Sequence, residues 1–472
     1  MGVIVYIPTG LASPELEILL AKAQFAINAG ARTTVVTCAG GAGYACSLNI
    51  YGLRSLCKVC KSVTNRGVSK LQGVYEHVQT PTIISVPPRI RARAALLMTR
   101  QAIKAHSFED VDVGQAAYAS YIGLSRDQDL EGRLAGFSLN RLLASSEQLL
   151  PWFRELIRTR QAKRVVLYNG RHNQYRPLLR AAQHEGVEVD VMEFSGRDCQ
   201  CVYTYNNNLP QMLDVLYACI EVTWKTFSGD VEQCCRDYFT FKRTGVATNG
   251  DRSFVLGQTK GMLPSGWDAT KHNVVIFNSS EDEFAALGGE YDETIYCSQT
   301  EAITRLCQSV SDDPDLVIWL RIHPNLSGVR WSFARRLLHL EKLHQNVRVI
   351  PGNSPVSSYD LLDACDTALT FGSTMGVEAA YWGKPSILVG RFIHERLGSL
   401  YTPKTHEEVV RLIRQRNLPP LPLTGALKFA LFWSKGGGGY HTLGVIETRV
   451  LPSMNTKLPR RILRRQFIKL RS

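Results

Sequence analysis

The stretch at residues 370–390, TFGSTMGVEAAYWGKPSILVG, constrains the fold of this chain more than any other part of it. The residues that lead into it, DTALTF at 366–371, are mainly β-branched or apolar and predict a buried strand. A polar turn follows at 372–374, and small and apolar residues then recur at helical spacing until Gly383 and Pro385 end the helix. A strand, a tight turn and a helix in this order are typical of an α/β protein.

The turn itself consists of Gly372, Ser373 and Thr374. Backbone N–H groups and the helix dipole favour a bound phosphate at the start of a helix. Glu378 lies about one turn further along, where its carboxylate can accept hydrogen bonds from ribose hydroxyls. In the alternative interpretation Ser373 only caps the helix and Glu378 is solvated, and the turn alone does not decide between the two.

A second stretch, LVIWLRIHP at 316–324, predicts an apolar strand that ends in Arg321, His323 and Pro324. Ligands of open α/β sheets bind at the carboxyl ends of the strands. Because Ile322 separates Arg321 from His323, both side chains are expected to project from one face. A single histidine at a strand end is more often structural than functional. Arginine, histidine and proline together, upstream of the polar turn, favour a ligand-binding edge.

The two stretches resemble a known family. The resemblance is to the C-terminal domain of GT-B glycosyltransferases, and it lies in RIHPN at 321–325 and SPVSSYDLLDACDTALTFGSTMGVEAAYWGKP at 354–385. Among these enzymes the two stretches most resemble the capsule polysaccharide biosynthesis group. That group includes Kdo transferases and is related to bacterial sialyltransferases. YNGR at 168–171 and FNSSEDEF at 277–284 resemble this group more weakly.

The resemblance implies a CMP-sugar donor. His323 would contact the nucleotide, Ser373 and Thr374 the phosphate, and Glu378 the ribose. Non-hydrolysing UDP-GlcNAc epimerases carry a similar His-Pro motif and a similar Ser/Gly-plus-Glu pair. The motifs therefore indicate a nucleotide sugar more firmly than they indicate the reaction.

The chain has 472 residues, enough for two or three domains. We predict an α/β, GT-B architecture of two Rossmann-like domains that face each other across a cleft, with a basic C-terminal tail. Residues 1–255 would form the acceptor domain, 256–430 the nucleotide-sugar domain and 431–472 the C-terminal segment. The loop-rich stretch at 242–266 supports a boundary there.

Two carboxylates are candidates for the general base that an inverting enzyme of this kind needs. Asp112 lies beside Gly114 in a stretch that the sequence predicts as a loop, and an ordinary acidic loop residue is the favoured alternative there. Glu193 lies near the end of the strand predicted at 187–194. Asn169 and Arg171, after the strand at 164–169, are candidate contacts of acceptor or donor, or else ordinary turn residues.

Polar residues also follow the strand predicted at 273–278. Ser279, Ser280 and Glu281 would contact phosphate or sugar by the same strand-end rule. Equally, this segment can open a helix, whose dipole favours acids in the first turn. We assign Asp282 and Glu283 to such a helix and leave the other three residues open.

The stretch CSLNIYGLRSLCKVC carries Cys46, Cys57 and Cys60, a CxxC pair with one more cysteine. Zinc or a redox centre would need a fourth ligand, and only Cys38 is near in sequence. Small buried residues around a loop are the favoured alternative. We therefore expect neither metal nor cofactor, and a nucleotide sugar as substrate.

Net charge +13 and a pI of about 9.2 suggest a polyanionic partner. Nucleic acid is not expected, because basic patches interleaved with aromatic residues are lacking. The first ten residues lack the basic start of a signal peptide, and twelve scattered cysteines are typical of reduced thiols. The sequence thus predicts a cytoplasmic protein, with its tail at the inner face of the cell membrane.

These features favour an inverting, metal-independent glycosyltransferase. It would move a CMP-activated acidic sugar, such as Kdo or sialic acid, onto a surface glycan or lipid-linked acceptor. A nucleotide-sugar 2-epimerase and a CDP-glycerol-type glycerophosphotransferase are the alternatives on the same nucleotide site. A nucleic-acid-binding protein is the alternative from another class, suggested by charge alone.

The tail, KLPRRILRRQFIKLRS at 457–472, carries seven Lys or Arg and no acid, with Leu463, Phe467 and Leu470 on one helical face. Each basic residue near an anionic surface contributes about 1 kcal/mol, so we expect the chain to bind anionic lipid through this tail. The alternative is a basic tail that binds no membrane. Vesicle sedimentation with and without residues 457–472 checks this: the full chain should pellet with anionic vesicles and the truncated chain should not. Equal sedimentation would contradict the prediction.

Overall fold

The structure is a computed structural model that describes the chain except residues 13, 41–44, 83–96, 195–200, 245–254, 256, 293, 436–445 and 450–472. The basic tail therefore lies outside the described residues, as does most of the predicted boundary near residue 255. In chain order the strands are β1 (Gly2–Ile7), β2 (Arg32–Thr37), β3 (Glu76–Gln79), β4 (Ala162–Tyr168), β5 (Glu188–Phe194), β6 (Cys201–Asn206), β7 (His272–Phe277), β8 (Leu316–Arg321), β9 (Val347–Ile350), β10 (Thr367–Thr370), β11 (Ser386–Leu388) and β12 (Ile446–Arg449).

The strands form two sheets. The first has the order β12-β6-β5-β4-β1-β2-β3, in which β6 pairs antiparallel with β5 and β12 and the other pairs are parallel. The second has the order β11-β10-β7-β8-β9 and is parallel throughout. The α/β class predicted from the sequence is thus confirmed.

The helices cover the sheets. In chain order they are α1 (Glu15–Asn28), α2 (Arg54–Val68), α3 (Arg100–Ala105), α4 (Val113–Ser125), α5 (Ala135–Thr159), α6 (Arg176–His184), α7 (Leu213–Thr226), α8 (Val231–Thr244), α9 (Glu281–Ala285), α10 (Gln299–Ser309), α11 (Ser332–Leu343), α12 (Ser358–Ala364), α13 (Met375–Tyr381), α14 (His406–Arg414) and α15 (Thr424–Lys435). Within the described residues, none of these is both long and apolar enough to cross a membrane. The first unit is the sheet formed by β1–β6 and β12 with the helices between β1 and β6, and the second unit is the sheet formed by β7–β11 with the helices between those strands.

The central strands of each sheet are buried on both faces. In β1, Ile4 packs into one apolar cluster and Val5 into another on the opposite side. In β7, Val274 and Val275 divide in the same way. Alternate residues of a strand point to opposite faces, so a strand covered on both sides has to be a continuous apolar run. VIVYI and NVVIF are such runs, and for this reason the sequence predicts them within one residue of their observed positions.

Helix α4 differs from the sequence prediction, which placed a loop around Asp112 and Gly114. All ten residues from Val113 to Ile122 are buried, so the helix has no polar face and no amphipathic period by which to recognise it. Gly114 is required by packing: a Cβ there would lie 2.0 Å from the carbonyl oxygen of Ile103 at the end of α3.

Gly114→Ala should lower the free energy of unfolding by about 1–3 kcal/mol, because α3 must move away to admit the methyl group. Gly123→Ala is the matched control in the same helix, since its Cβ would come no closer than 3.9 Å to a neighbouring atom. We expect this control to be neutral or slightly stabilising, because alanine favours helix. Urea unfolding followed by circular dichroism measures both variants. Equal stability of the two would contradict the packing of α3 on α4.

Candidate functional site

Three loops meet at the carboxyl edge of the second sheet. Strand β7 lies between β10 and β8, with Phe277 in register with Thr370 on one side and Arg321 on the other. Neighbouring strands lie about 4.8 Å apart, so the loops at 278–281, 322–325 and 371–374 leave the sheet side by side. The edge predicted from the two sequence stretches thus exists, with a third loop at its centre.

Hydrogen bonds join the three loops. The Ser279 hydroxyl donates to the carbonyl oxygen of Phe371 at 3.1 Å. The Ser280 Oγ lies 3.4 Å from Nδ1 of His323, whose backbone N–H donates to Asn278 Oδ1 at 2.7 Å. The central loop therefore fixes the position of the histidine on one side and of the polar turn on the other.

The protonation state of His323 follows from its contacts. The backbone N–H of Asn325 donates to Nδ1 at 3.1 Å, which assigns the ring proton to Nε2. Burial, and next the charges of Arg126 and Arg321, lower the pKa of His323 to about 4. The imidazole is therefore neutral at physiological pH, and its Nε2–H is a neutral donor rather than a positive charge.

The donors of the Arg321 guanidinium bond to the loop at 351–358. The guanidinium donates to the carbonyl oxygens of Pro351 and Ser354 at 2.6 and 3.3 Å, and to the hydroxyl of Ser358 at 3.4 Å. The sequence prediction that Arg321 and His323 face one ligand is therefore corrected: Arg321 holds the 351–358 loop. Pro324 opens a 3-10 turn, Pro324–Leu326, that carries the chain away from the edge.

The polar turn has the expected backbone. Gly372 has φ +99°, a backbone conformation that L side chains rarely adopt, so glycine suits the position. The Ser373 Oγ accepts the backbone N–H of Met375 at 3.3 Å, but the N-cap residue of α13 is Thr374, whose side chain makes no capping bond. Helix α13 has only seven residues. Its dipole is correspondingly small, and side-chain and loop donors carry more weight here.

Glu378 is neither solvated nor open to a ribose. It is 2% exposed, and its Oε1 accepts the hydroxyl of Thr374 at 2.9 Å while its Oε2 accepts the hydroxyl of Tyr359. Burial, and then the adjacent carboxylate, raise the pKa of Tyr359 far above its usual range. Glu378 thus ties the turn and α13 to α12. The Thr374 hydroxyl donates its proton inward, so its oxygen faces a ligand only as an acceptor.

The end of β4 and the adjacent β5 bring the other candidates together. The hydroxyl of Tyr168 donates to Glu193 Oε1 at 3.1 Å, and the Asn169 amide donates to Glu193 Oε2 at 2.6 Å. Burial lowers the pKa of Arg171, whereas the charges of Glu193 and of Glu283 in the second unit oppose that shift. Asn169, Arg171 and Glu193 therefore form one group at the carboxyl edge of the first sheet, on the side of Glu283.

Arg126 joins the two units. It caps α4 with φ +58° and reaches the second unit, where its Nε and Nη2 bond both oxygens of Asp282 at 2.7 and 2.9 Å. Its Nη1 donates to the carbonyl oxygen of Asn325 at 2.6 Å, and its Nη2 also donates to Ser280 Oγ at 3.3 Å. One guanidinium thus holds two of the three loops. Sequence reasoning missed this role, because the partners lie more than 150 residues away.

Glu281 is a structural tie between the units. Its Oε1 accepts Arg100 at 2.5 Å, and its Oε2 accepts the amide of Gln128 at 3.2 Å and the backbone N–H of Gln299 at 3.1 Å. It is 5% exposed. The helix considered in the sequence analysis is present as α9, which starts at Glu281.

Asp112 does not have the properties of a general base. Burial by itself would raise its pKa, but the ion pairs with Arg176 and Arg180 outweigh burial and lower the pKa to about 2. It also lies at the N-terminal end of α4, roughly 20 Å along the helix from Arg126. There it lines a separate cavity of about 890 Å³. The hypothesis of a catalytic Asp112 is therefore replaced by a structural role.

Four cysteines, Cys38, Cys46, Cys57 and Cys60, line one small, mainly apolar cavity at the end of β1. Burial raises the pKa of Cys57 to about 11 and raises that of Cys60, so these thiols stay protonated. Among the described residues, no group of three or more His, Cys, Asp or Glu side chains is placed to hold a metal ion.

The solved structures to which this chain is similar include distant ones. No family model matches the sequence, and a search of curated proteins finds no significant match. A Thermosulfurimonas dismutans KpsC, a beta Kdo 2,4 transferase, shares 17% identity over 56% of this chain and 78% of its own, with a TM-score of 0.35. A Neisseria meningitidis UDP-GlcNAc 2-epimerase bound to UDP-GlcNAc shares 9% identity over 92% of this chain and 99% of its own, with a TM-score of 0.21. The spinosyn rhamnosyltransferase SpnG shares 10% identity over 94% of this chain and 99% of its own, with a TM-score of 0.27. Similarity at this level carries no functional argument.

Arg126→Ala should lower the free energy of unfolding by about 2–3 kcal/mol, because it leaves the buried carboxylate of Asp282 without its cation. Arg158→Ala is the matched control. Arg158 forms the same kind of pair with Glu185, but its side chain is 60% exposed, so stability should hardly change. Urea unfolding measures both. If the two variants were equally stable, Arg126 would not join the units as described.

Proposed function

We propose that this protein is a glycosyltransferase of the GT-B type whose donor is a nucleotide sugar, in the first place a CMP-activated acidic sugar. The observation that carries the proposal is the pair of bonds from Ser280 to His323 and from Ser279 to Phe371. These bonds join the loops that carry His323, the two serines and the glycine turn at one carboxyl edge, which supports a shared binding site. The sequence resemblance to the capsule polysaccharide group supports the choice of donor.

In this proposal the loops bind the leaving nucleotide. The neutral imidazole of His323 donates from Nε2 to a phosphate oxygen. The hydroxyl of Ser280 faces Nδ1 of that ring and positions it, and the hydroxyl of Ser373 lies at the same edge. Arg126 holds the Ser280 loop from the other unit through Asp282. Donors that are fixed before the reaction stabilise the charge that develops on the phosphate as the glycosidic bond breaks. Arg321 and Glu378 position the surrounding segments.

Glu193 is the proposed general base. Tyr168 and Asn169 hold its two oxygens, which fixes the direction of the carboxylate at the edge of the first sheet. It would take the proton of an acceptor hydroxyl as that oxygen attacks the anomeric carbon. The bond from the anomeric carbon to the phosphate oxygen then breaks with inversion, and the nucleoside monophosphate leaves with the bonding electrons.

In this scheme the two sheets bind different substrates. The second sheet would bind the donor, and the first would bind the acceptor, a surface glycan or a lipid-linked glycan. The basic tail at 457–472 would bring the enzyme to an anionic membrane on the cytoplasmic side. No step of this scheme requires a cofactor.

Binding of CMP, CDP, UDP and GDP is the first test. A nucleotide that binds only the folded state stabilises it by about 2.7 kcal/mol at one hundred times its Kd, so CMP should raise the melting temperature. His323→Ala should weaken CMP binding about tenfold or more, because a hydrogen bond to a charged group is lost. The exposed His339, also in the second unit, supplies the control variant His339→Ala, which should bind as the wild type does.

Product analysis then decides the reaction. Incubation with CMP-sugars should release CMP and extend an acceptor. Epimerised UDP-GlcNAc or glycerophosphate transfer from CDP-glycerol would replace the proposed reaction by one of its alternatives. Full transfer by His323→Ala, or no nucleotide binding by the wild type, would contradict the site.

A further inference from the structure

Arg171 differs from three other arginines that are partly or fully buried. Arg126 pairs with Asp282, Arg176 with Asp112 and Arg100 with Glu281. The Nε of Arg171, by contrast, is buried and has no hydrogen-bond partner among the described residues.

The acids near Arg171 have oxygens that bond to other groups. Glu193 accepts from Tyr168 and Asn169, and Glu283 accepts from the Asn325 amide at 3.0 Å. The charges of both acids raise the pKa of Arg171 through space, but burial lowers that pKa by more. Burying a cation whose donors are not all paired costs free energy. An anionic ligand that receives those donors would remove this cost.

The backbone fixes Arg171 in place before any ligand arrives. Asn169 and Gly170 have φ +57° and +77°, and a Cβ at Gly170 would lie 2.9 Å from both Leu179 and Leu209. Glycine therefore suits that turn, and the backbone N–H of Arg171 donates to Asn169 Oδ1 at 3.2 Å, which holds the turn together. The residue after it is held at the carboxyl edge of the first sheet, within range of the Glu283 charge on the second.

We propose that Arg171 is the specificity residue for an oxyanion on the sugar, namely the carboxylate of an acidic sugar. The inference rests on the proposed function and names the chemical group by which the sugar is chosen. A guanidinium matches a carboxylate with two parallel N–H donors. The sugar carboxylate is favoured over the nucleotide phosphate because Arg171 belongs to the first sheet, whereas His323, Ser280 and Ser373 belong to the second.

The experiment compares wild type, Arg171→Gln and Arg158→Gln by calorimetric titration. The last variant removes the same charge from an exposed site. The probes are CMP, CMP-Kdo, CMP-sialic acid and the methyl ester of CMP-sialic acid, which lacks the carboxylate charge. The wild type should bind at least one acidic donor about 10- to 100-fold more tightly than CMP or the ester. Arg171→Gln should lose that preference, bind CMP within about twofold of wild type, and melt no lower without ligand; Arg158→Gln should behave as wild type.

Three results would overturn the inference, and each is distinct. Weakening of CMP binding by Arg171→Gln to the same degree would assign Arg171 to the phosphate. A lower melting temperature with an unchanged preference for the carboxylate would assign it to the structure. Failure of the wild type to bind any nucleotide would remove the proposed function itself, and that result needs no variant to be seen.

Discussion

The register of three parallel strands is the constraint on which the site depends. With Thr370, Phe277 and Arg321 side by side, three loops leave the sheet together, and no single loop has to supply all the donors. The serines that follow β7 then bond outward in both directions, to Phe371 and to His323. A slip of one residue in β7 would turn its side chains to the opposite face and break both bonds at once.

The partners of each charged group decide its chemistry. Asp112 lies at the start of a helix and Glu193 near the end of a strand, both in the first unit. Two arginines form ion pairs with Asp112 and keep its carboxyl group ionised. Glu193 is held by a phenol and an amide, neither of which carries a charge. The phenol and the amide fix the direction of the Glu193 carboxylate, while the charge of Arg171 acts on it through space. This difference in partners supports Glu193 as the base. The role of Asp112 is to hold α4 against α6 through its ion pairs.

How far sequence can predict this structure depends on the range of each interaction. Buried strands and the polar turn were predicted because their signals are local: apolar runs, a glycine that needs positive φ, and a proline that ends a helix. The inward direction of Glu378 and Arg321 was not predicted, because their partners Tyr359 and the 351–358 loop come from other elements. Helix α4 has no polar face, and the partners of Arg126 lie far along the chain, so neither left a periodic or local signal.

The central claim is that one nucleotide binds to all three loops of the second sheet, at 278–281, 322–325 and 371–374. Hydrogen–deuterium exchange of the full chain, with and without saturating CMP, tests it directly, because exchange is measured for each loop separately. The account predicts slower exchange in peptides covering 278–283, 322–326 and 371–376 in the same titration, with one midpoint. Protection confined to one of these loops, or to segments outside the second sheet, would contradict it.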